Sequence, residues 1–393
     1  MHKSNWQRNI RFFLITTFFQ WFYIPIGVWV LVWRNYFSWQ EIGSATAFGM
    51  FVSLILELPS GALADMVGRK RTILFGRILG VFGFAILSVA DSLPLLVLGL
   101  TLYQANWAFE SGALSALLYD SLKESGVEKE YYQKTEADSF FFATLGMAVA
   151  SLLGGYLYTF GPHVPYMATT VVAVGAYISA LGLEEPRLDT IKFSLKSYLK
   201  QNWDGFIHIF SNPLIRAVSL FSVLIDFVAY VGLWYLFEPR LAEGGFPATW
   251  MGMLVAGSYL IRAFGTKLIP LALRLGDRAI PLFLTLFQMI GSALSFIDGR
   301  GGAIASVYTR KMSDGFRKPI LNRLQNEEIA SRYRATSLSA ISLLSSGMIA
   351  AAGPITGYFM DNFSVRVTLG AFFFVGLVFV LPSAYWLSLQ IKK

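Results

Sequence analysis

Long apolar stretches separated by short polar segments dominate the hydropathy pattern of the chain. A helix needs about 20 mostly apolar residues to cross a bilayer, and twelve stretches of roughly that length are present. The strands of membrane β-barrels are shorter and alternate strictly between apolar and polar positions, so this pattern predicts helices. The predicted spans are residues 11–33, 40–60, 72–91, 94–120, 137–160, 164–183, 214–239, 248–273, 279–297, 302–323, 336–360 and 364–389.

The longest polar segment, Glu184 to Asn212, lies at the middle of the chain and separates six predicted spans from six. Within it Lys192, Lys196 and Lys200 recur every fourth residue beside apolar side chains, which predicts an amphipathic interfacial helix. A connector without a regulatory role is the favoured interpretation. We expect an N-terminal six-helix lobe of residues 1–184, a cytoplasmic linker of residues 185–212 and a C-terminal six-helix lobe of residues 213–393.

The composition supports a membrane protein. Hydrophobic residues make up 55% of the 393 residues, charged residues only 14%, and the mean hydropathy is +0.54. A soluble chain could not cover so much apolar surface. There is no cysteine, which excludes disulfides and thiolate metal sites. His2, His163 and His208 are too far apart to suggest metal ligands, so no metal and no cofactor are expected.

The distribution of Lys and Arg predicts the orientation. About twenty of them fall in one set of loops and about four in the other, and the positive-inside rule places the richer set in the cytoplasm. These loops account for the formal charge of +8, so no nucleic-acid partner is expected. The first apolar run, Phe12 to Trp33, is too long for a signal peptide and lacks its cleavage site. We expect a multi-pass protein of the inner (cytoplasmic) membrane with both termini in the cytoplasm. The few basic residues on the other side are Arg34, Arg240, Arg300 and Arg366.

The loop between the second and third spans, residues 61–71, reads GALADMVGRKR. Gly61 would let a neighbouring helix approach closely, and Gly68 would allow the tight turn that reverses the chain. Asp65 is an acid at the membrane edge, where it could pair with an arginine or face a helix N-terminus. The basic residues from Arg69 onward favour the cytoplasmic side.

This loop resembles the signature of the major facilitator superfamily, G-x-L-a-D-x-x-G-R-K-x, in its sequence and in its position between those two spans. The corresponding loop of the second half, residues 273–278, keeps the glycine and basic residues but has no acid at the position that corresponds to Asp65. Residues 152–156 and 353–358 add weak signs of an internal six-span repeat. The resemblance implies an all-α bundle of twelve membrane helices in two pseudo-symmetric lobes.

The same resemblance implies how such a protein works. A solute site lies near the middle of the membrane and faces each side in turn as the lobes rock, and spans one, four, seven and ten line the cavity. The signature loop helps to latch the cytoplasmic side. The latch residues implied by the resemblance are Gly61, Asp65, Gly68 and Arg69.

Acidic residues inside predicted spans are candidates for function, because burying a charge in a membrane is costly. Glu110 lies near the middle of span four and Asp226 near the middle of span seven. Either could take up a proton and couple proton entry to solute movement. Alternatively, each could pair with a buried arginine such as Arg77 or Arg262 and only fix helix packing.

Span ten is unusually basic for a membrane helix, since Arg310, Asp314 and Arg317 share one of its faces. One hypothesis is that Arg310 and Arg317 bind an anionic or zwitterionic solute. The alternative, favoured for Arg317 and Lys318, is that Pro319 ends the helix and places both at its cytoplasmic end. Arg310 could also pair with Asp314 or another acid.

Polar residues on the lining spans complete the predicted cavity. In span one, Gln20 and Tyr23 belong to a polar stripe at helical spacing, and Gln104 holds the position where proton antiporters of the family often carry an arginine. The candidates for the cavity are Gln20, Tyr23, Gln104, Asn106, Tyr230, Arg310 and Asp314.

Together these features predict a secondary transporter rather than an enzyme. The sequence has no nucleotide-binding loop, and no catalytic triad is visible. We expect a monomer in the bilayer that exports a drug-like or amphiphilic metabolite in exchange for protons. The alternative function is proton-linked uptake of an anionic or zwitterionic nutrient. A non-transporting receptor or a scramblase on the same fold is a minor alternative.

Overall fold

A computed structural model shows a chain that is helical over most of its length, with no strand in the part of the chain that it describes. The amphipathic helix predicted around Lys192 and Lys196 lies outside the described residues. The structure describes residues 5–186, 200, 203, 206–210, 212–329 and 331–391.

The helices of the first half follow the predicted spans, with one interruption. The first span breaks into two α-helices joined by a 3-10 turn at Ile24–Gly27, where Pro25 cannot donate a backbone hydrogen bond. The helices are α1 Trp6–Trp21, α2 Trp29–Trp33, α3 Trp39–Val67, α4 Arg69–Leu87, α5 Leu93–Ser125, α6 Glu128–Leu157 and α7 Val164–Leu181.

The second half contains shorter pieces as well as long helices. A π-helical turn at Gly376–Val380 joins the last two helices into one span. The helices are α8 Pro213–Trp234, α9 Phe237–Glu243, α10 Ala248–Gly265, α11 Ile269–Leu273, α12 Ile280–Ala293, α13 Gly299–Glu328, α14 Ser331–Asn362, α15 Val365–Val375 and α16 Leu381–Gln390.

Pro319 does not end the tenth span, contrary to the favoured interpretation. Helix α13 contains Pro319 and continues to Glu328, so Arg317 and Lys318 lie well inside it. A proline removes one hydrogen bond of the helical ladder, and this helix continues through that gap.

Six of the described helical segments are long and apolar enough to cross a membrane, or seven if the bent helix α3 counts as one span. Other long helices, including α5 and α13, carry charged residues in their interiors. Burial inside the protein protects such charges from lipid. The protein is a multi-pass α-helical membrane protein.

Backbone contacts group the chain into two compact units. The predicted lobe boundaries stay a prediction. The N-terminal unit comprises Met1–Phe37, Ala45–Leu195 and Ala248–Ala256, and the C-terminal unit comprises Ser38–Ser44, Lys196–Pro247 and Gly257–Lys393.

Within the N-terminal unit, a glycine-rich face of α4 packs against α5. A Cβ atom added at Gly76 would lie 3.1 Å from the Cβ of Phe109, and one added at Gly80 would lie 3.2 Å from the side-chain amide of Asn106. Small residues allow membrane helices to approach closely. This contact brings Arg77, the neighbour of Gly76, next to the polar residues of α5.

Candidate functional site

A buried ion pair occupies the interior of the N-terminal unit. Arg77 of α4 pairs with Glu110 of α5, and their side chains are only 5% and 0% exposed. The Nη2 group of Arg77 also donates to the carbonyl oxygen of Thr16 in α1 at 3.3 Å. A buried charge is tolerated when it is paired and hydrogen-bonded, and this arrangement joins three helices through one guanidinium group.

The hydrogen bonding around this pair is incomplete. Among the described residues, Glu110 Oε2, Arg77 Nε and Asn106 Oδ1 are buried and have no hydrogen-bond partner. Buried polar groups without a hydrogen-bond partner are rare in folded proteins, so a cluster of three makes this ion pair a candidate functional site. The second carboxylate oxygen of Glu110 is a position that could accept a proton.

Three of the predicted cavity residues meet beside this pair. Gln20, Tyr23 and Asn106 line a small cavity of about 20 Å³ that Arg77 also borders. That volume holds about one water molecule when polar partners are present. Aromatic residues complete the wall, among them Phe19, Phe22, Phe84, Tyr103 and Trp107.

Gln104 does not line that cavity. Its side chain instead packs toward α3, where a Cβ added at Gly49 would lie 3.2 Å from the Cγ of Gln104. Tyr23 belongs firmly to the cavity wall: its hydroxyl is 3.0 Å from that of Tyr166, and its ring stacks on Tyr103 with centroids 5.9 Å apart.

A larger charge cluster lies in the C-terminal unit, centred on Arg317. This side chain is 0% exposed and pairs with Asp226 of α8 and with Asp314 on its own helix. Its guanidinium carbon lies 4.9 Å from the centre of the Tyr230 ring. The interpretation of Arg317 as a residue at the cytoplasmic helix end is therefore wrong, because two buried carboxylates hold it inside the unit.

Two further cations extend this cluster. The Nε of Arg262, in α10, lies 3.1 Å from Asp314 Oδ2, and the Nζ of Lys318 lies 3.5 Å from Asp226 Oδ2. Unlike Arg317, their side chains are partly exposed, at 31% and 41%. From the sequence, Arg262 was predicted only as a possible partner for a buried acid. In the structure it pairs with Asp314.

Arg310 is buried without an acidic partner among the described residues. It is 2% exposed, its Nη1 donates to Ser292 Oγ at 2.6 Å, and its Nη2 donates to the carbonyl oxygen of Val228. Pairing with Asp314 was one alternative, and it is wrong because Asp314 is held by Arg317 and Arg262. Arg310 joins α8, α12 and α13.

The signature loop has a different set of contacts from those expected. Gly68 adopts φ +100°, as a tight turn requires, and Arg69 pairs with Asp120 at the end of α5. Asp65 is half-buried and interacts electrostatically with Arg69, without a hydrogen bond to any residue in the described part of the chain. The backbone N–H groups of Arg69 and Lys70 donate to Glu185 at 2.7 and 2.6 Å.

The expectation for Gly61 is wrong. A Cβ atom added there would meet no atom within 4 Å, so no helix in the described part of the chain packs against this glycine. Asp120 and Glu185 were missing from the predicted site. Glu185 had a signal in the sequence, since two acids directly follow the sixth span, and acids favour helix N-termini. Asp120 also had one, because residues 118–121 at the end of span four resemble bacterial members of the family, although that resemblance assigned the acid no role.

Long apolar helices around paired, buried charges define a polytopic α-helical membrane protein. The chain belongs to the Major Facilitator Superfamily, whose family model matches residues 10–346. It is therefore a membrane transporter of that superfamily.

Individual relatives are distant. An uncharacterized transporter of this family, YxaM of Bacillus subtilis (strain 168), is 23% identical over 91% of this chain and 88% of its own length. The enterobactin exporter EntS of Salmonella choleraesuis (strain SC-B67) is 27% identical over 73% of this chain and 66% of its own. The crystal structure of the nucleoside transporter NupG aligns with a TM-score of 0.79 and 14% identity, over 99% of this chain and 100% of that one. That likeness establishes the fold.

Proposed function

We propose that the protein is a proton-coupled secondary transporter that exports a small organic solute from the cytoplasm. The observation that carries the proposal is the Arg77–Glu110 pair: a fully buried carboxylate in the middle of a membrane helix, with one oxygen that has no partner in the described part of the chain. A carboxylate in this position can exist in a paired, ionised form and in a protonated form, which is what coupling to a proton needs.

Protonation of Glu110 would remove the negative charge that holds Arg77. Arg77 connects α4 and α5 to the carbonyl oxygen of Thr16 in α1, so a change at Glu110 is passed to α1, which carries Gln20 and leads into Tyr23. A proton can shift the balance between two states of the transporter only by binding one state more strongly. An Arg77–Glu110 contact that is made in one state and broken in the other would supply such a difference.

Asp226 is the second candidate for a coupling group. It is 5% exposed and is shared between Arg317 and Lys318. Asp226 contacts two cations, whereas Glu110 contacts one and has a carboxylate oxygen without a partner among the described residues. We therefore assign the coupling role first to Glu110.

Export is supported by the relationship to a protein named as an exporter of enterobactin. An amphiphilic solute suits walls with many aromatic side chains beside a few polar ones. The distribution of Lys and Arg supports an inner-membrane protein with both termini in the cytoplasm. We further propose that the protein is a monomer in the bilayer.

Transport into sealed liposomes with an imposed pH gradient tests this proposal. Naphthoate, naphthamide and naphthylmethylamine would serve as acidic, neutral and basic probes of one shape. We expect the gradient to drive accumulation of at least one probe, and Glu110→Gln to abolish the driving effect while the exposed control Glu130→Gln preserves it. Full coupling in both Glu110→Gln and Asp226→Asn would refute the role of these acids.

Proton-linked uptake of an anionic nutrient is a second candidate function, favoured by the excess of cations around α13. The direction of the gradient that drives accumulation separates uptake from export. A receptor or scramblase on this fold would show no gradient-driven movement of any probe.

A further inference from the structure

Three buried atoms in the interior of the N-terminal unit together offer one hydrogen-bond donor and two acceptors. The donor is the Nε–H of Arg77, and the acceptors are Oδ1 of Asn106 and Oε2 of Glu110; none has a partner among the described residues. The three residues are 4%, 5% and 0% exposed, so bulk water does not reach them. Buried polar groups are nearly always paired, so three such atoms indicate a bound partner.

The three atoms converge because α4 and α5 are in close contact. The Nε–H and Nη2 groups lie on the same edge of the planar guanidinium, and Nη2 of Arg77 donates to Oε1 of Glu110. The Nε–H therefore lies on the edge that faces this carboxylate. Asn106 precedes Glu110 by one helical turn, so both lie on one face of α5. A Cβ atom added at Gly76 or Gly80, on either side of Arg77, would lie 3.7 or 3.3 Å from Oδ1 of Asn106.

The small cavity of about 20 Å³ lies beside these atoms, and Arg77 and Asn106 both border it. A buried water molecule needs a space of about 10–15 Å³ and two to four polar partners, and it typically makes about three hydrogen bonds. The cavity therefore admits one water molecule and is too small for an organic solute.

The chemistry of the three atoms selects water among small occupants. A water molecule can donate two hydrogen bonds and accept one, which matches two acceptors and one donor. A metal ion or an ammonium ion would meet the positive charge of Arg77, and an anion would meet the carboxylate of Glu110. An apolar group would leave all three atoms unpaired.

We propose that this cavity binds one water molecule, which accepts from Arg77 Nε, donates to Asn106 Oδ1 and Glu110 Oε2, and exchanges the proton of Glu110. The inference rests on the proposed proton coupling and supplies the carrier for it. A proton from the aqueous phase forms an O–H bond on the water while another O–H bond of that water breaks, and the released proton bonds to Oε2. The water is neutral before and after the transfer, and the reverse transfer restores the carboxylate.

Asn106 is a positioning residue in this scheme, because its Oδ1 holds one hydrogen of the water and leaves the other directed at Glu110. A direct contact between Arg77 Nε and Asn106 Oδ1, after a small rotation of either side chain, is the competing explanation. It would pair one donor with one acceptor and leave Oε2 of Glu110 without a partner.

A high-resolution crystal structure of the full-length protein is the direct test. We expect one water within hydrogen-bond distance of all three atoms. A cavity without a water, or a direct contact between Arg77 Nε and Asn106 Oδ1, would overturn the inference.

Filling the cavity tests whether the water carries the proton. Ala176 of α7 forms part of the cavity wall, so Ala176→Leu should displace the water. In liposomes we expect accumulation of the naphthyl probes driven by a pH gradient to fall to its level without a gradient, while downhill transport of the same probes continues. Ala180→Leu is the matched control, because Ala180 lies one turn further along α7, is 0% exposed and does not line the cavity.

Ala180→Leu introduces the same extra volume without displacing the water and should keep gradient-driven accumulation. Equal coupling in the two alanine variants would overturn the inference. If Ala176→Leu does not fold, Asn106→Leu decides, since it removes one acceptor at nearly constant volume. Loss of coupling with continued downhill transport is expected for Asn106→Leu, and full coupling would contradict the role of the water.

Failure of this inference can be distinguished from failure of the proposed function. Full coupling in Glu110→Gln would refute proton coupling through Glu110 itself. Loss of coupling in Glu110→Gln, together with full coupling in Ala176→Leu and Asn106→Leu, would overturn only the water site and keep Glu110 as the coupling group.

Discussion

The carboxylate of Glu185 accepts a hydrogen bond from the backbone N–H of Arg69, at 2.7 Å. The signature loop of the family is thus held at its turn by an acid that follows the sixth span, 116 residues further along the chain. An acid at a helix N-terminus satisfies backbone donors that have no partner within the helix. The first turn of α4 is fixed in this way, and the side chain of Arg69 remains available to pair with Asp120.

The two glycines of the signature should respond differently to substitution. Gly68 adopts φ +100° and ψ 149°, a region that only glycine occupies easily, and an added Cβ would lie 3.1 Å from the Glu185 carboxylate. We expect Gly68→Ala to destabilise the protein by about 1–3 kcal/mol. Gly61→Ala is the matched control, because it adds a methyl group to open space within a helix and should be neutral or stabilising by about 0.5–1 kcal/mol. Thermal unfolding in detergent measures both, and equal effects would contradict the structural explanation.

Asp65→Asn should reduce transport while solute binding stays close to wild type. Asp65 interacts electrostatically with Arg69 without a hydrogen bond in the described part of the chain, so its charge is available to act in another state of the transport cycle. Asp120→Asn removes the direct partner of Arg69 and should reduce transport at least as much. Transport is measured in liposomes, and solute binding is measured on the purified protein. A loss of binding as large as the loss of transport would show that these acids belong to the solute site.

Removing one partner of the buried Arg77–Glu110 ion pair should lower the free energy of unfolding. Arg77→Met leaves the carboxylate of Glu110 buried without its cation, and we expect a loss of about 3–5 kcal/mol of unfolding free energy. The double variant Arg77→Met with Glu110→Gln should recover much of that loss, because no unpaired charge remains. Arg71→Met, which removes an exposed cation from the same helix, is the control. A double variant as unstable as Arg77→Met alone would count against the pair as the source of the effect.

Two glycines make room for Arg310 and should not tolerate a methyl group. A Cβ atom at Gly232 would lie 1.8 Å from Arg310 Nη2, and one at Gly291 would lie 2.5 Å from its Cγ. Overpacking of this kind costs about 1–3 kcal/mol, so Gly232→Ala and Gly291→Ala should both lower the unfolding temperature. Gly347→Ala, where an added Cβ meets nothing within 4 Å, should have little effect. Equal unfolding temperatures for the three variants would contradict close packing of Gly232 and Gly291 against Arg310.

Local features of the sequence were enough to predict the helices and part of the candidate site. The twelve predicted spans each coincide with described helical segments, because a run of about 20 apolar residues must form a helix in lipid. The turn at Gly68 followed from its glycine and the reversal of the chain. The intramembrane positions of Glu110 and Asp226 followed from the cost of burying charge, which makes any acid in an apolar run conspicuous.

The pairing of those charges did not follow from the sequence. Glu110 had both Arg77 and Arg262 as possible partners, and only helix packing selects Arg77, through the close contact of α4 with α5 at Gly76 and Gly80. Helical spacing likewise placed Arg310, Asp314 and Arg317 on one face. It could not show that Asp314 and Asp226 hold Arg317 while Arg310 bonds to Ser292 and Val228.

The sequence by itself determined that this protein lies in the membrane as a bundle of helices and carries the superfamily's signature loop, since hydropathy and turn residues act locally. The tertiary structure alone decided which charge meets which, why Gly61 faces open space, and that Glu185 secures the start of α4. These contacts join residues that are far apart in the chain, and their energies depend on distances and burial that the order of residues does not specify.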